Sequence, residues 1–231
     1  MLHVDNLTLT QGNFTLSADW RVPEGRRVAV IGPSGAGKST LLGALAGFVP
    51  MAGRLSLDGQ PIHDSRPEAR GIAMLFQDSN LFPHLTLRQN VGLGLRARLR
   101  LTAEEHAQVD AALARVGLDG LGDRRPGAVS GGQQSRVALA RVLVQRKKLL
   151  LLDEPFAALG PALRVEMLDL VARLTEETGA TLLMVTHDPK DALRIAQDVI
   201  WLDAGVAHAP QAAGPLLSDP PPSLKAYLGS G

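Results

Sequence analysis

The 231-residue chain contains no cysteine and few aromatic residues, which make up 3% of it. The absence of cysteine excludes a disulfide framework, a cysteine-ligated zinc or iron–sulfur site, and a thiol nucleophile. Neither charge sign is in excess, since 24 basic residues face 23 acidic ones. This balance disfavours a nucleic-acid-binding function, which is typical of basic chains, and the few aromatic rings leave little surface for stacking bases.

Long hydrophobic runs are also lacking. The longest nearly uncharged apolar stretch, residues 41–53, is too short to cross a bilayer and contains Pro50. The first residues do not show the basic and apolar segments of a signal peptide. We therefore expect a soluble, cytoplasmic protein that reaches a membrane only through a partner. The length fits one globular domain with room for a subdomain.

The order of apolar segments predicts an α/β fold with a mostly parallel sheet. Alternating patterns at 7–10 and 14–18 predict N-terminal antiparallel strands, and the stretch 83–145 has helical spacing. We expect a catalytic core, residues 1–77 and 146–231, and a helical subdomain, about residues 78–145. The proline-rich tail predicts a loop that ends in one short helix. Buried strands are expected at 27–31, 72–76, 149–152, 181–186 and 199–202.

A glycine-rich segment between a predicted strand and a predicted helix fits the pattern G-x-x-x-x-G-K-[ST]. Its glycines allow backbone N–H groups to surround phosphate oxygens in front of a helix N-terminus. Lys38 would reach the β- and γ-phosphates, and Ser39 would bind Mg²⁺. We call residues 32–39 the phosphate loop. The predicted nucleotide ligands are Gly32, Pro33, Ser34, Gly35, Ala36, Gly37, Lys38, Ser39 and Thr40.

Two consecutive carboxylates follow the apolar run 149–152. Asp153 would hold Mg²⁺ at the carboxyl end of a buried strand, where ligands bind in such sheets. Glu154 could polarise an attacking water as a general base. These residues alone leave both a magnesium-dependent nucleotide hydrolase and a kinase open.

A second anion site is predicted at the start of another helix, in a signature segment made of Ser130, Gly131, Gly132 and Gln133. Ser130 and Gln133 have the spacing of a capping box, ahead of an apolar helix through residues 136–144. A single nucleotide rarely needs two phosphate sites in one chain. We therefore expect a homodimer in which the signature segment of each chain covers the γ-phosphate bound by the other.

The combined motifs resemble the ATP-binding subunits of ABC transporters over nearly the whole chain. In that family the phosphate loop and the 149–153 strand are the two Walker motifs, and residues 129–133 are the signature. The resemblance implies that Glu154 is the catalytic carboxylate, that Gln77 senses Mg²⁺ and the γ-phosphate, and that His187 contacts the γ-phosphate. ATP and Mg²⁺ are the implied cofactors.

The sequence departs from the family pattern at several positions, and Gln134, where arginine is common, is one of them. Val129 replaces the usual leucine, and Gly160 replaces an aspartate that helps to couple the two sites of the dimer. The adenine-stacking aromatic has no clear counterpart, because Gln11 occupies its place and Phe14 is a poor substitute. We therefore expect weak base stacking.

The size of the chain favours a stand-alone importer subunit, since it has no room for the coiled coil, the second ATPase domain, the fused membrane helices or the regulatory domain of other members. Outside the shared ATPase motifs, its sequence is most similar to the ATP-binding subunits of thiamine importers. The alternatives are subunits of importers of ferric iron, sulfate or polyamines, and a weakly hydrolysing regulatory subunit. The implied partners are permease subunits that dock near Gln77–Leu95 and, indirectly, a periplasmic binding protein. The implied location is the cytoplasmic face of the bacterial inner membrane.

Overall fold

The computed structural model describes residues 1–77 and 80–229. Within these ranges the strands form one continuous mixed sheet, in the order β5-β4-β1-β2-β10-β9-β3-β8-β7-β6, with β11 paired to β9. The strands are β1 (Leu2–Gln11), β2 (Phe14–Val22), β3 (Arg27–Ile31), β4 (Ala52–Leu57), β5 (Gln60–Pro61), β6 (Ile72–Leu75), β7 (Leu149–Asp153), β8 (Thr181–Val185), β9 (Asp198–Asp203), β10 (Val206–Ala207) and β11 (Gln211–Ala212). The helices are α1 (Lys38–Ala46), α2 (Leu87–Gly92), α3 (Ala103–Arg115), α4 (Gly131–Leu143), α5 (Pro161–Thr178), α6 (Pro189–Ile195), α7 (Ala213–Ser218) and α8 (Pro222–Leu228).

Parallel pairing joins the central strands β9-β3-β8-β7-β6, and it also joins the short strand β10 to β2. Antiparallel pairing joins β1 to β2 and β4, and it also joins β9 to the short strands β10 and β11. The predicted α/β fold, with a parallel core and N-terminal antiparallel strands, is confirmed. The N-terminal strands are longer than the alternating patterns indicated, because β1 and β2 remain paired from the Gln11–Phe14 hairpin end to Leu2 and Val22.

Strand β7 explains why the sequence has an uninterrupted apolar run. Leu149 and Leu151 belong to the cluster of buried side chains under α1 and the antiparallel strands. Leu150 and Leu152 belong to the opposite cluster, which is built from α2, α3, α4 and α5. A strand that is covered on both faces needs apolar side chains at every position. Asp153 lies at the carboxyl end of this strand.

The segment after β6 contains three helices that each begin with a capping box. The N-cap residues are Thr86, Thr102 and Ser130, and each side chain accepts a hydrogen bond from the third residue of its helix. Helix α4 begins at Gly131, so the glycines of the signature segment are its first turn rather than a loop ahead of it. The predicted capping boxes at Thr102 and Ser130 are confirmed.

The C-terminal tail differs from the sequence-based expectation of a loop with one helix. It contains two short strands and two helices, α7 and α8. Proline frequency misled the prediction, because Pro222 occupies the first position of α8, where its missing N–H has no intrahelical partner in any case. Across residues 1–77 and 80–229, no helix has the length and apolar character required to cross a membrane.

The segment 77–95 divides between core and surface. Leu87 is fully buried, whereas Phe82 is 46% exposed. Asn90, whose polarity suggested a surface position, is fully buried: its amide accepts from the Phe82 N–H and donates to the carbonyls of Phe82, Leu85 and Thr86. Asn90 therefore fixes the loop that exposes Phe82. Asp78 and Ser79, which belong to the predicted docking stretch, lie outside the described residues.

Candidate nucleotide-binding site

A cavity of about 820 Å³ lies at the carboxyl ends of the parallel strands. Ligands bind on this carboxyl-terminal side of the strands in open α/β sheets. The phosphate loop, Gln77, Glu154 and His187 all reach it from different strands. The cavity is lined by Gln11, Phe14, Gly32, Ser34, Gly35, Gly37, Lys38, Ser39, Thr40, Gln77, Glu154, His187 and Tyr227.

The phosphate loop needs glycine at two points for steric reasons. At Gly32 (φ +152°) a Cβ would lie 2.7 Å from the carbonyl oxygen of Leu202. At Gly37, the N-cap of α1 (φ +91°), a Cβ would lie 2.5 Å from Cζ of Phe14. The ring of Phe14 therefore packs on the loop. Backbone N–H groups at the start of α1 are the donors that bind phosphate in such loops.

Lys38 is held inside the loop. Its Nζ donates to the carbonyl oxygens of Gly32 and Pro33 at 2.8 and 2.9 Å. Burial lowers the pKa of this ammonium group, and the charges of Glu154 and Asp153 oppose the effect. The cation is thus positioned at the phosphate loop and faces two carboxylates.

Ser39 and Asp153 form the candidate metal-binding pair. The hydroxyl of Ser39 donates to Oδ1 of Asp153 at 3.0 Å, and Asp153 is 8% exposed. Burial raises the pKa of the Asp153 carboxyl and Glu154 adds to this, whereas the Ser39 hydrogen bond and Lys38 lower it. The described part of the chain contains no cluster of three or more acidic or histidine side chains able to hold a metal. One hydroxyl and one carboxylate nevertheless fit Mg²⁺, which prefers oxygen ligands and takes most of them from phosphate and water.

Glu154 and His187 face each other across the cavity. Oε2 of Glu154 lies 3.5 Å from Nδ1 of His187, which is longer than a strong charge-assisted hydrogen bond. Glu154 has a left-handed backbone (φ +44°), and its N–H donates to Val185 on β8. Left-handed non-glycine residues are uncommon and concentrate at functional sites. The turn directs a carboxylate from the end of β7 towards the end of β8.

The signature segment is separate from this cavity. The cavity lining, within the described ranges, does not include Ser130, Gly131, Gly132 or Gln133. The hydroxyl of Ser130 accepts from the N–H of Gln133, and the Gln133 side chain accepts from the N–H of Ser130. Gly132 packs under Leu163, whose Cδ2 would lie 2.3 Å from an added Cβ. Ser130 and Gly131 are exposed at this helix start, Gln133 is partly exposed, and Gly132 is buried.

The sequence-based prediction missed Tyr227. Its ring lines the cavity, and its hydroxyl donates to the carbonyl oxygen of His187 at 3.2 Å. The signal that could have located it is the spacing of Leu224, Tyr227 and Leu228, which follows Pro222 at the i, i+3, i+4 positions of an amphipathic helix. Gln11 and Phe14 both line the cavity, and the weak base stacking expected there stays a prediction.

The model of the family described as "ABC transporter" matches residues 16–157, more than half of the chain. The chain belongs to the ABC transporter family. The family match includes the phosphate loop, the signature segment, Asp153 and Glu154. It does not extend to His187, to Tyr227 or to the wall formed by Gln11 and Phe14.

Several curated relatives are similar over almost their full length. The chain is 57% identical to the thiamine import ATP-binding protein ThiQ of Cereibacter sphaeroides over 99% of this chain and 100% of the relative. It is 56% identical to ThiQ of Ruegeria sp. over 100% of both chains. It is 46% identical to ThiQ of Brucella suis over 99% of this chain and 95% of the relative.

Solved structures of this ABC transporter fold are also similar. One is a dimeric ATP-binding cassette in a post-hydrolysis state bound to ADP and Pi, with a TM-score of 0.79 and 29% identity over 92% of this chain and 99% of that one. Another is a dimeric bacterial ABC transporter cassette, with a TM-score of 0.79 and 30% identity over 92% of this chain and 99% of that one.

Proposed function

We propose that this chain is the ATP-binding and ATP-hydrolysing subunit of an importer of thiamine and its phosphates. The observation that carries the hydrolytic part is the convergence of Lys38, Glu154 and His187 on one cavity. The sequence identity of 46–57% to ThiQ proteins over nearly the full chain supports thiamine as the cargo. The chain itself supplies ATP hydrolysis, and the recognition of thiamine belongs to its partners.

The proposed chemistry follows from the placement of three side chains. The phosphate loop and Lys38 bind the β- and γ-phosphates, while Glu154 accepts a proton from a water molecule as that water attacks the γ-phosphorus. The bond to the bridging oxygen breaks, and ADP and inorganic phosphate form. His187 would contact the γ-phosphate beside Glu154, and Gln77 would sense the bound nucleotide from the end of β6. General-base catalysis of this kind contributes about 10²–10⁴-fold to rate.

Ser39 and Asp153 are the residues that would hold Mg²⁺, with Gln77 beside them. When bound, Mg²⁺ neutralises phosphate charge and helps to orient the phosphates for in-line displacement. The chain contributes a hydroxyl and a carboxylate that are already aligned by their own hydrogen bond. The same pair anchors the start of α1 to the end of β7.

A homodimer would complete each site. The signature segment lies on an exposed helix start away from the cavity of its own chain, and helix N-termini favour anions. The solved relatives described as dimeric cassettes support this assembly. In the proposed dimer, residues 32–40 of one chain and residues 130–133 of the other enclose one ATP.

The proposed permease contact lies near Gln77–Leu95. Phe76 and Phe82 are exposed there, and the Phe76 ring lies 5.8 Å from the exposed ring of Phe48. Exposed aromatic side chains at one site are typical of interaction surfaces. Through permease subunits the protein would sit on the cytoplasmic face of the inner membrane and act with a periplasmic solute-binding protein. We also propose the division of the chain into a catalytic core, residues 1–77 and 146–231, and a helical subdomain, about residues 78–145.

The substitution Glu154→Gln tests the hydrolytic role, because it removes the proton acceptor and keeps the shape of the side chain. We expect the steady-state ATPase rate to fall at least about 100-fold, while binding of ATP is retained. Glu104→Gln, on the exposed first turn of α3, is the matched control and should keep the wild-type rate. A Glu154→Gln variant that hydrolyses ATP like the wild type would show that Glu154 is not the base.

The cargo is tested by uptake in a strain that lacks this gene. We expect uptake of labelled thiamine to require the wild-type chain and to fail with Glu154→Gln. Uptake of ferric iron, sulfate and polyamines is measured in parallel, and a defect in one of these with normal thiamine uptake would reassign the cargo. A wild-type chain without ATPase activity, even with its permease, would favour a regulatory subunit instead.

A further inference from the structure

The C-terminal helix α8 is anchored to the sheet behind the phosphate loop. Leu224 is 2% exposed and packs in a cluster with Ile31, at the end of β3, and with Trp201 on β9. Tyr227 and Leu228 pack against the same cluster. The packing therefore fixes the position of the helix on the sheet. This position is next to Gly32, at which the phosphate loop begins.

From this position Tyr227 contacts the backbone of His187 and the wall of the candidate nucleotide-binding cavity. Its hydroxyl donates to the carbonyl oxygen of His187 at 3.2 Å. Burial raises the pKa of the Tyr227 phenol. The phenol oxygen thus lies at the backbone of the histidine that follows β8. The ring also forms part of the cavity wall together with Lys38 and Glu154.

His187 depends on such contacts for its orientation. Its side chain is 51% exposed, and its Nδ1 lies 3.5 Å from Glu154, too far for a strong hydrogen bond. The residues on both sides are held more firmly: the Thr186 hydroxyl donates to Asp191, and the N–H of Asp188 donates to the Thr186 hydroxyl. The Tyr227 hydroxyl fixes the carbonyl of the histidine itself.

We propose that Tyr227 is a positioning residue, which holds the backbone of His187 so that the imidazole faces Glu154 and the γ-phosphate. This inference rests on the proposed function of the site. Tyr227 acts on the turnover of bound ATP rather than on the affinity for ATP, because it acts through His187 and not through the phosphate loop's own donors. Displacements of about 1 Å in a catalytic group are sufficient to reduce rates strongly.

The substitution Tyr227→Phe removes the hydroxyl and keeps the ring that packs on the sheet. We expect kcat for ATP hydrolysis to fall about two- to tenfold, the weight of one hydrogen bond, while KM for ATP and the thermal midpoint stay close to wild type. Lys225→Ala, on the exposed side of the same helix, is the control and should keep the wild-type kcat. A Tyr227→Phe variant with wild-type kcat would overturn the inference and leave the proposed function intact.

The double variant with His187→Ala shows whether Tyr227 acts through His187. We expect Tyr227→Phe to have no additional effect on kcat once His187 is absent, because residues that act as a unit are not additive. An equal fold-loss in both backgrounds would overturn the inference.

A spectroscopic readout separates this inference from the proposed function. The ¹³Cε1–¹Hε1 NMR resonance of His187, assigned by its loss in His187→Ala, should shift in Tyr227→Phe but not in Lys225→Ala. An unchanged resonance would overturn the inference whether or not the chain hydrolyses ATP. Loss of hydrolysis in the wild type would count against the proposed function alone.

Discussion

At the scale of single residues, the candidate site concentrates charge that burial disfavours. Asp153 lies at the end of a strand that is covered on both faces, and Lys38 is buried in the phosphate loop. The two groups partly compensate for each other's burial: Lys38 lowers the pKa of Asp153, and Asp153 raises the pKa of Lys38. Strain of this kind is typical of sites in which a ligand completes the charge balance.

The substitution Asp153→Asn therefore separates stability from function. We expect the nucleotide-free variant to be at least as stable as the wild type at about pH 7, because asparagine removes a buried charge and keeps an oxygen for Ser39. We expect binding of Mg²⁺–ATP to weaken at least about 100-fold, since even outer-shell partners of a metal contribute 10–100-fold. Equilibrium denaturation and nucleotide titration measure the two effects.

The pH dependence of the free energy of unfolding shows whether the charge of Asp153 stabilises or destabilises the fold. A carboxyl whose pKa is raised by folding binds its proton more tightly in the folded state, so its ionisation costs stability as pH rises through the interval above 3.8. The stability advantage of Asp153→Asn should therefore shrink on acidification. Asp169→Asn is the opposite control, because hydrogen bonds from Arg194 lower the pKa of Asp169: it should lose stability at neutral pH, and this loss should vanish in acid. An Asp153→Asn variant that follows the Asp169→Asn pattern would contradict this account.

At the scale of elements, the sequence predicted most of what local rules control. Capping boxes at Thr102 and Ser130, the buried strand β7 and the proline-initiated helix α5 follow from short-range signals. The tail was predicted less well, because α7 and α8 are short helices stabilised by packing on β3 and β9 rather than by intrinsic propensity. The left-handed turn at Glu154 also has no local signal.

The loop after β6 is an element held by one side chain. Substitution of Asn90 by alanine would leave the Phe82 N–H and the Leu85 carbonyl oxygen without their side-chain partner, whereas the carbonyl oxygens of Phe82 and Thr86 keep backbone donors. We expect Asn90→Ala to lower the free energy of unfolding by about 2–4 kcal/mol, because unpaired buried polar groups are costly. Exposed His84→Ala, in the same loop, should change it by less than about 0.5 kcal/mol. Equal effects of the two substitutions in urea denaturation would refute the role of Asn90.

Helix α5 begins at an N-cap that has only a hydrogen as its side chain. Gly160 has extended backbone angles (φ −63°, ψ 157°), and an added Cβ would meet no atom within 4 Å in the described part of the chain. We expect Gly160→Asp to raise the free energy of unfolding by about 0.3–1 kcal/mol through capping and the helix dipole. Gly160→Ala cannot cap and should be less stable than Gly160→Asp; the reverse order would contradict the expectation.

At the scale of the whole molecule, the fold brings together residues that are far apart in the sequence. Gln77, Glu154 and His187 meet because β6, β7 and β8 are parallel neighbours whose carboxyl ends lie at one edge. This part of the site could be predicted, since each residue follows an apolar strand. The contribution of Tyr227 could not, because it depends on how the chain returns across β9 after its last long strand.

The position of the signature segment leads to the most specific prediction about the proposed dimer. Within one chain it lies apart from the cavity, so a site that needs both must be shared between two chains. In the proposed dimer, Lys38→Ala would remove the phosphate ligand of a chain's own site, and Ser130→Arg would block the site of its neighbour. A mixed dimer of the two variants would retain one intact site.

The most direct test of the account is therefore the ATPase activity of a mixture of Lys38→Ala and Ser130→Arg chains. Each variant alone should be inactive. An equimolar mixture that exchanges subunits should recover about a quarter of wild-type activity, because half of the dimers are mixed and each has one of two sites intact. A mixture that forms mixed dimers but stays inactive, or a Ser130→Arg variant with the wild-type rate, would contradict a composite site.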